Sequence, residues 1–474
     1  MMNKYDIDES LIGNSKDSLM TFMYKMNKNT NGIVFVLDEE GKFRGVITDG
    51  DVKRALMTGH TLNEMAEPFI NTASITVTTE EPEASVEHKF AGKVCIIPII
   101  DKEQKVVGFY KKEASMPIAD PQLNGNELNY LLDAFVSTWI SSSGYYINRF
   151  EEDFSAFCDS KYGVAVSNGT VALHLALVAL GIKAGDEVIV PDLTFAATIN
   201  AVLHTGATPV IVDIEENSWC IDPKEIEKAV TPRTKAIIPV HIYGQPCDMD
   251  AICAIAKEHD LYIIEDCAEA HGALYKGRKV GSFGDIGCFS FFGNKVITTG
   301  EGGMCVTNSE ELSSLMRKLR DHGMSKERRY YHEVVGYNYR MTNLQAAIGV
   351  GQLEKIDTIL NWREELEEKY RTMLAGIPSI TLQRKDLPER KKVAWLVSIL
   401  VEADKRDTFM AEMKQSGIDS RAFFIPLSQM DIYRPYAREC KVSKQISQMG
   451  INLPTNYRVD EGIIRKIADI AKVW

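Results

Sequence analysis

Short apolar runs bounded by turn residues recur along the chain, and their spacing divides it. GIVFVL (32–37) predicts a buried strand, and Asp38-Glu39-Glu40-Gly41 predicts a turn. FRGVIT (43–48) predicts a second strand, and a helix starts over 51–57. A weaker copy comes about 60 residues later, the period of an internal repeat: strand 94–100, turn 101–104, strand 105–110. Pro117 and Pro121 within ASMPIADPQLN (114–124) mark a linker.

Beyond 125 the pattern changes to long strand–helix alternation. Strands are predicted over 162–167, 187–190, 209–213, 236–240 and 262–265. Helices are predicted over 170–180, 223–229 and 249–259, and a long one over 353–373. Short apolar strands alternating with helices imply a mostly parallel sheet covered on both faces. The more mixed text after that last helix predicts a smaller α+β domain.

Composition narrows the classes. The 474 residues are 45% hydrophobic and 25% charged, ordinary globular values for two to four units. The net charge of −12 is shared by both parts of the chain and disfavours nucleic acid and anionic lipid as partners. No apolar run reaches the roughly 18 residues of a membrane span, and the polar start MMNKYDIDES does not read as a signal peptide. Nine scattered cysteines without C-x-x-C argue against a disulfide scaffold or a zinc site. The expectation is a cytoplasmic protein with no metal and no membrane insertion.

Four local features carry candidate chemistry. Ser167-Asn168-Gly169-Thr170 opens a helix, where free N–H groups and the dipole can hold a phosphate; it also fits an ordinary N-cap. Asp266 ends the strand YIIED, where ligands bind in α/β sheets; it also fits a helix cap. Lys295 lies in the aromatic, glycine-bounded turn CFSFFGNK, suited to a desolvated amine; a solvent-exposed turn lysine is the alternative. Phe195, in PDLTFAAT, can stack on a ring or pack in the core. Together they meet the needs of pyridoxal phosphate: a phosphate cradle, an acid for the ring nitrogen and a lysine for a Schiff base.

Residues 124–474 resemble the DegT-like sugar-nucleotide aminotransferases, a group of fold type I pyridoxal-phosphate enzymes. The resemblance rests on SNGTVALHLAL, PDLTFAATINA, HIYGQPCDMD, IIEDCAEAHGA, GDIGCFSFFGNKVITTGEGGM and GYNYRMTNLQAAIG. It implies an α/β fold of type I, with a mostly parallel large domain (124–360) and a small α+β C-terminal domain (361–474) after a linker (116–123). It implies pyridoxal 5'-phosphate as cofactor and Lys295 as the catalytic lysine. Asp266 then partners the ring nitrogen, and Gly169, Thr170 and Ser290 contact the phosphate. Phe195 stacks on the ring, and Glu269 stands where many members place a glutamine near the phenolic oxygen. Asn338 matches a residue that reaches the partner subunit's cofactor, which implies a homodimer or higher homo-oligomer with shared sites. The blocks FFGNK…TTGEGG, YYHEVVGYNYRMTN and SRAFFIPL look most like members that aminate C4 of a GDP-linked 4-keto-6-deoxy sugar with L-glutamate. A UDP-linked keto sugar, or a nucleotide-sensing chain without catalysis, is the alternative. A related dehydrating branch carries histidine at the lysine position, so Lys295 favours transamination. Pro426-Leu427-Ser428 departs from the family, which commonly has a histidine after Pro-Leu.

Residues 1–115 fall outside that pattern. GIVFVLDEEGKFRGVITDGDVKRAL resembles a CBS motif, so the segment is expected to be a small α+β CBS-pair domain. The resemblance places an adenine nucleotide's ribose on Thr48 and Asp51. The second copy has Tyr110-Lys111-Lys112-Glu113 in that place, so at most one position is well formed. Nucleotide sensing and plain oligomer contact both remain open for this module.

Overall fold

The structure is a computed structural model and describes residues 2–90, 94–112 and 115–473. Glu113 and Ala114, in the predicted second-copy turn and linker, lie outside the described residues. Two compact units divide at Ser115 and Met116.

In the first unit each copy is built on the same three-strand plan. Ile33–Leu37 pairs parallel with Ile12–Asn14 and antiparallel with Phe43–Thr48. Ile96–Ile100 pairs parallel with Val77–Thr78 and antiparallel with Val106–Lys112. The hairpin turns are held alike. Asp38 accepts the N–H groups of Glu40 and Lys42 at 3.0 and 2.9 Å, and Asp101 those of Glu103 and Lys105 at 2.9 and 2.8 Å. Gly41 takes φ +77° in the first turn and Gln104 φ +63° in the second. The copies differ after the hairpin. Thr48 caps the helix Asp49–Met57, whereas Val106–Lys112 runs on to pair with Met2–Tyr5.

The second unit carries a seven-stranded sheet. Its order is Thr208–Val212, Glu187–Pro191, Thr234–Ile237, Tyr262–Asp266, Ile286–Ser290, Gly303–Thr307 and Tyr162–Val166. All run parallel except Gly303–Thr307, which is antiparallel to both neighbours. Alternate side chains enter two cores, as the pleat requires: Val188 and Val190 join one, Ile189 the other. The helix Gly169–Ala179 fills the first face. Tyr145–Phe157 and Asn343–Leu353 cover the second. Glu151 ties the helix Tyr145–Phe157 to the edge strand. It is buried, accepts the Ala165 N–H at 2.9 Å, and pairs with Arg317 and Arg320 at 2.5 Å each.

The predicted helix over 353–373 is found as Ile356–Leu374. Only its start differs, because Leu353 is the last residue of the preceding helix, Asn343–Leu353. The C-terminal part is a four-stranded antiparallel sheet, Thr381–Leu382, Val397–Leu400, Gly450–Leu453 and Arg421–Ala422. Ile356–Leu374, Arg406–Gln415 and Glu461–Lys472 pack on it. Among the described residues no helix is long and apolar enough to cross a membrane.

Candidate active site

Parallel strands bring their C-terminal ends to one edge of the sheet, and a cavity of about 600 Å³ opens there. Tyr162–Val166 leads into the helix Gly169–Ala179 through Asn168, whose side chain accepts the Val171 N–H at 3.0 Å. The first intrahelical donor is Ala172, bonded to the Asn168 carbonyl at 3.2 Å. The N–H groups of Gly169 and Thr170 therefore belong to the unsatisfied first turn, and both residues line the cavity. Ser290, at the end of Ile286–Ser290, sits against them. A Cβ on Gly169 would lie 2.7 Å from the Ser290 Cβ, so only glycine permits this approach.

Consecutive carboxylates on Tyr262–Asp266 point to opposite faces and do different work. Glu265 is buried and accepts the N–H groups of Gly281, Phe283 and Gly284, each at 2.7 Å. His241, whose Nδ1 accepts the Cys247 N–H, donates to Glu265 from Nε2 at 3.1 Å. Glu265 thus orders the loop before the next strand. With Cys267 this pair forms a group of metal-type ligand atoms within 4.8 Å, but its histidine and carboxylate are already hydrogen-bonded. Asp266 lines the cavity instead. It accepts Thr198 Oγ1 at 2.8 Å and the Ala268 N–H at 3.2 Å. Burial pushes its pKa up, and those bonds with the Lys295 charge oppose the rise.

Lys295 rises from a turn closed by its own N–H to the Phe292 carbonyl at 2.9 Å. Its side chain is 13% exposed, with Nζ 3.8 Å from Glu269 Oε1 and 4.3 Å from the centre of the Trp395 ring. Burial drives the amine's pKa down, against the charges of Glu269 and Asp266. The same burial pushes Glu269 up to about 7, while Lys295 and the Tyr243 N–H pull it down. That N–H holds the other Glu269 oxygen at 2.8 Å. Trp395 is fixed by its indole N–H on the Asn294 carbonyl at 2.7 Å and by Arg363, which donates to the Trp395 carbonyl at 2.8 Å.

Gly169, Thr170, Phe195, Asp266, Glu269, Ser290 and Lys295 all line this one cavity. Phe195 is 59% exposed, with its ring against Phe424 at 5.7 Å. Asn338 is exposed and outside the cavity lining, its Oδ1 accepting from Arg340 at 3.0 Å. Ser428 donates its N–H and hydroxyl to the buried Asp192 at 2.7 and 2.9 Å. Thr198, Tyr243, Trp395 and Arg421 were not marked by the sequence. Thr198 lies inside PDLTFAAT, where a hydroxyl one helical turn from Thr194 was available as a signal; the other three come from distant text with no local pattern.

A model of the DegT/DnrJ/EryC1/StrS aminotransferase family matches residues 121–472, and a CBS-domain model matches residues 14–58. The chain is 46% identical to the GDP-perosamine synthase of Caulobacter vibrioides over 357 residues, 74% of this chain and 95% of that protein. It is 43% identical to the GDP-perosamine synthase of Vibrio cholerae over 362 residues, 75% and 98% of the two chains. Among solved structures, DesV of S. venezuelae is 34% identical, with TM-score 0.72 over 76% of this chain and 99% of that one. The PLP-form of Spr1654 from Streptococcus pneumoniae is 27% identical, with TM-score 0.72 over 76% and 99%.

The Glu269–Lys295 pair sets a pH dependence. An ionised Glu269 raises the proton affinity of Lys295, so Glu269→Gln lowers the amine's pKa, by about one unit or more at this separation. The rate at which Lys295 reacts with pyridoxal phosphate, followed by absorbance against pH, should move to lower pH in the variant. An inflection near pH 7 should be present only in the parent protein. Coincident profiles would show that the two groups are not coupled.

Proposed function

The chain belongs to the DegT/DnrJ/EryC1/StrS aminotransferase family, and we propose that it moves an amino group from L-glutamate to a nucleotide-linked 4-keto-6-deoxy sugar. The substrate we assign is GDP-4-keto-6-deoxymannose and the products are GDP-perosamine and 2-oxoglutarate. Identity of 43–46% to GDP-perosamine synthases across nearly their whole length carries this assignment. Nine free cysteines and a reaction on nucleotide sugars support a cytoplasmic setting.

The residues fit pyridoxal 5'-phosphate, the cofactor of this enzyme class. The helix N-terminus at Gly169 and Thr170, closed by Ser290, offers donors to a phosphate. Asp266, a buried acid only partly satisfied within the protein, suits a protonated ring nitrogen, and Phe195 offers an aromatic face. Bound there, the cofactor supplies a carbonyl that takes amines and a ring that accepts the electron pair left when a proton leaves carbon. Lys295 does the protein's share. Its amine, low in proton affinity, would take the proton from the donor's Cα and pass it to the cofactor's carbonyl carbon, and in the second half-reaction move a proton from that carbon to C4 of the sugar. Glu269, beside it, buffers that proton. A screen of GDP-, UDP- and dTDP-linked 4-keto sugars with glutamate should release 2-oxoglutarate fastest with the GDP sugar. Lys295→Ala should abolish release and the absorbance band of the bound cofactor. Equal or better turnover of a UDP sugar would replace the substrate, and an active Lys295→Ala protein would remove the mechanism.

We propose further that the enzyme works as a homodimer, with Asn338 reaching the partner's site. Support comes from apolar side chains left exposed around the helix Glu127–Val136, namely Phe135, Val136, Trp139 and Tyr145, and from Tyr330 and Val335 near Asn338. Sedimentation should give twice the 53.1 kDa chain mass or a multiple of it, and Val136→Glu should shift it toward the monomer with loss of turnover. A fully active monomer would end this reading.

For the first unit we propose one adenine nucleotide, its ribose on Thr48 and Asp51. Thr48 Oγ1 donates to Asp51 at 2.6 Å and the Thr48 N–H at 2.8 Å, a capping box that holds both groups at a helix N-terminus. The CBS match spans this copy alone. Calorimetry of the whole chain with AMP and ATP should show one site, lost in Asp51→Ala. Silence with both nucleotides would leave the pair its capping role only.

A further inference from the structure

Both substrates of the proposed reaction are anions, yet the cavity is lined by Asp266, Glu269 and Glu301 against only Lys295 and Arg421. Lys295 is committed to the chemistry. Ser428, the position where a histidine is common, is a neutral side chain, and its N–H and hydroxyl are spent on Asp192. Arg421 is left. It begins the two-residue strand Arg421–Ala422, whose backbone is pinned by pairing with Ile451 and Asn452 and by the Phe423 N–H on the Gly450 carbonyl at 3.1 Å. Its side chain is exposed and, among the described residues, makes no hydrogen bond or ion pair. Other arginines of the second unit are engaged: Arg363 with two carbonyls, Arg371 with Glu367, Arg390 with Glu215 and Asp248. Lys295 feels the Arg421 charge, which lowers the proton affinity of its amine.

We propose that Arg421 is the anion clamp of this cavity, receiving an oxyanion of the substrate while Lys295 works at the reacting carbon. The inference rests on the aminotransferase reading above. A planar guanidinium accepts a carboxylate or a phosphate through two parallel hydrogen bonds, so one group serves the distal carboxylate of the amino donor and the diphosphate of the nucleotide sugar. The two never compete, because the donor's keto acid leaves before the sugar enters. A fixed backbone with an unpaired head group places the clamp without any hydrogen bond having to break first.

The test uses the full-length, cofactor-loaded protein and two probes that cannot react, glutarate and GDP, titrated by calorimetry. Arg421→Ala should weaken at least one probe by about tenfold or more, the value of a charged hydrogen bond. Arg421→Lys should recover part of that loss, keeping the charge without the fork. The cofactor absorbance band should be present in both variants, since Arg421 makes no hydrogen bond within the described fold and reaches Lys295 only through its charge. Loss for glutarate alone assigns the clamp to the carboxylate, loss for GDP alone assigns it to the diphosphate, and loss for both assigns it to each in turn. Parent-like affinity for both probes in Arg421→Ala overturns the clamp. If the parent protein makes no 2-oxoglutarate from glutamate, the aminotransferase reading fails instead, whatever the probes show.

Discussion

Lys295 carries an amine out of water into a pocket walled by Trp395 and two carboxylates, and that burial dictates much of what surrounds it. An unpaired buried charge is costly, so the site neutralises or pairs it. Both happen here. Burial lowers the proton affinity of Lys295 and raises that of Glu269 to about 7, which narrows the gap between the two groups. A less basic amine gives up its proton more readily. The indole face adds cation–π stabilisation when the amine is charged and does not trap it with a strong hydrogen bond.

Holding Trp395 and Glu269 in place explains the packing behind the site. Glu269 is anchored by the Tyr243 N–H, and Tyr243 is itself held in a left-handed backbone conformation with its hydroxyl accepting the Phe424 N–H at 3.1 Å. The next residue is Gly244 at φ +82°, where a Cβ would meet the Val393 carbonyl at 1.8 Å. That close approach is how the segment bearing Trp395 reaches the large sheet. Farther along the sheet edge, Asp192 and Asp213 do the equivalent for residues 428–443. Asp192 takes Ser428 and Ser443, and Asp213 takes the Val442 and Ser443 N–H groups at 2.9 Å each. Carboxylates at strand ends, Asp192 buried and Asp213 half-buried, thus serve as docking points for the small domain. They also remove Ser428 from the set of groups free to meet substrate.

The legible part of the site was the part encoded locally. Gly169, Asp266, Ser290 and Lys295 each sit at or just after a strand end, and a parallel sheet gathers strand ends by itself. Knowing the alternation was therefore enough to place Gly169 and Asp266, whereas Ser290, on a strand the alternation did not predict, came only from the family resemblance. Glu265 and Asp266 could be told apart only by the pleat, which turns one to the loop and the other to the cavity. Trp395 and Tyr243 were illegible because they meet Asn294 and Phe424 across a hundred or more residues, with nothing in their neighbours to mark them. The strand Gly303–Thr307 escaped for a related reason. It returns antiparallel through the lysine loop with no crossover helix, so the strand–helix rhythm gave no cue. The start of Ile356–Leu374 was set a few residues early because Leu353, the last residue of the preceding helix, keeps the apolar spacing.

The first unit shows a repeat whose symmetry stops at the scaffold. Asp38 and Asp101 clamp their turns with the same pair of backbone bonds, although one turn spends a glycine on its left-handed residue and the other a glutamine. Past the hairpin the two copies diverge. In the first copy Thr48 stops the strand and starts a helix, exposing N–H groups and a dipole end at one place. In the second, Lys111 and Lys112 stay in the strand, paired with Asn3 and Met2, and those backbone groups are consumed by the sheet. After the hairpin, the first copy therefore opens a helix where the second stays in the sheet. The strand Met2–Tyr5, which closes the second sheet, pairs with the very residues that match the helix start of the first copy.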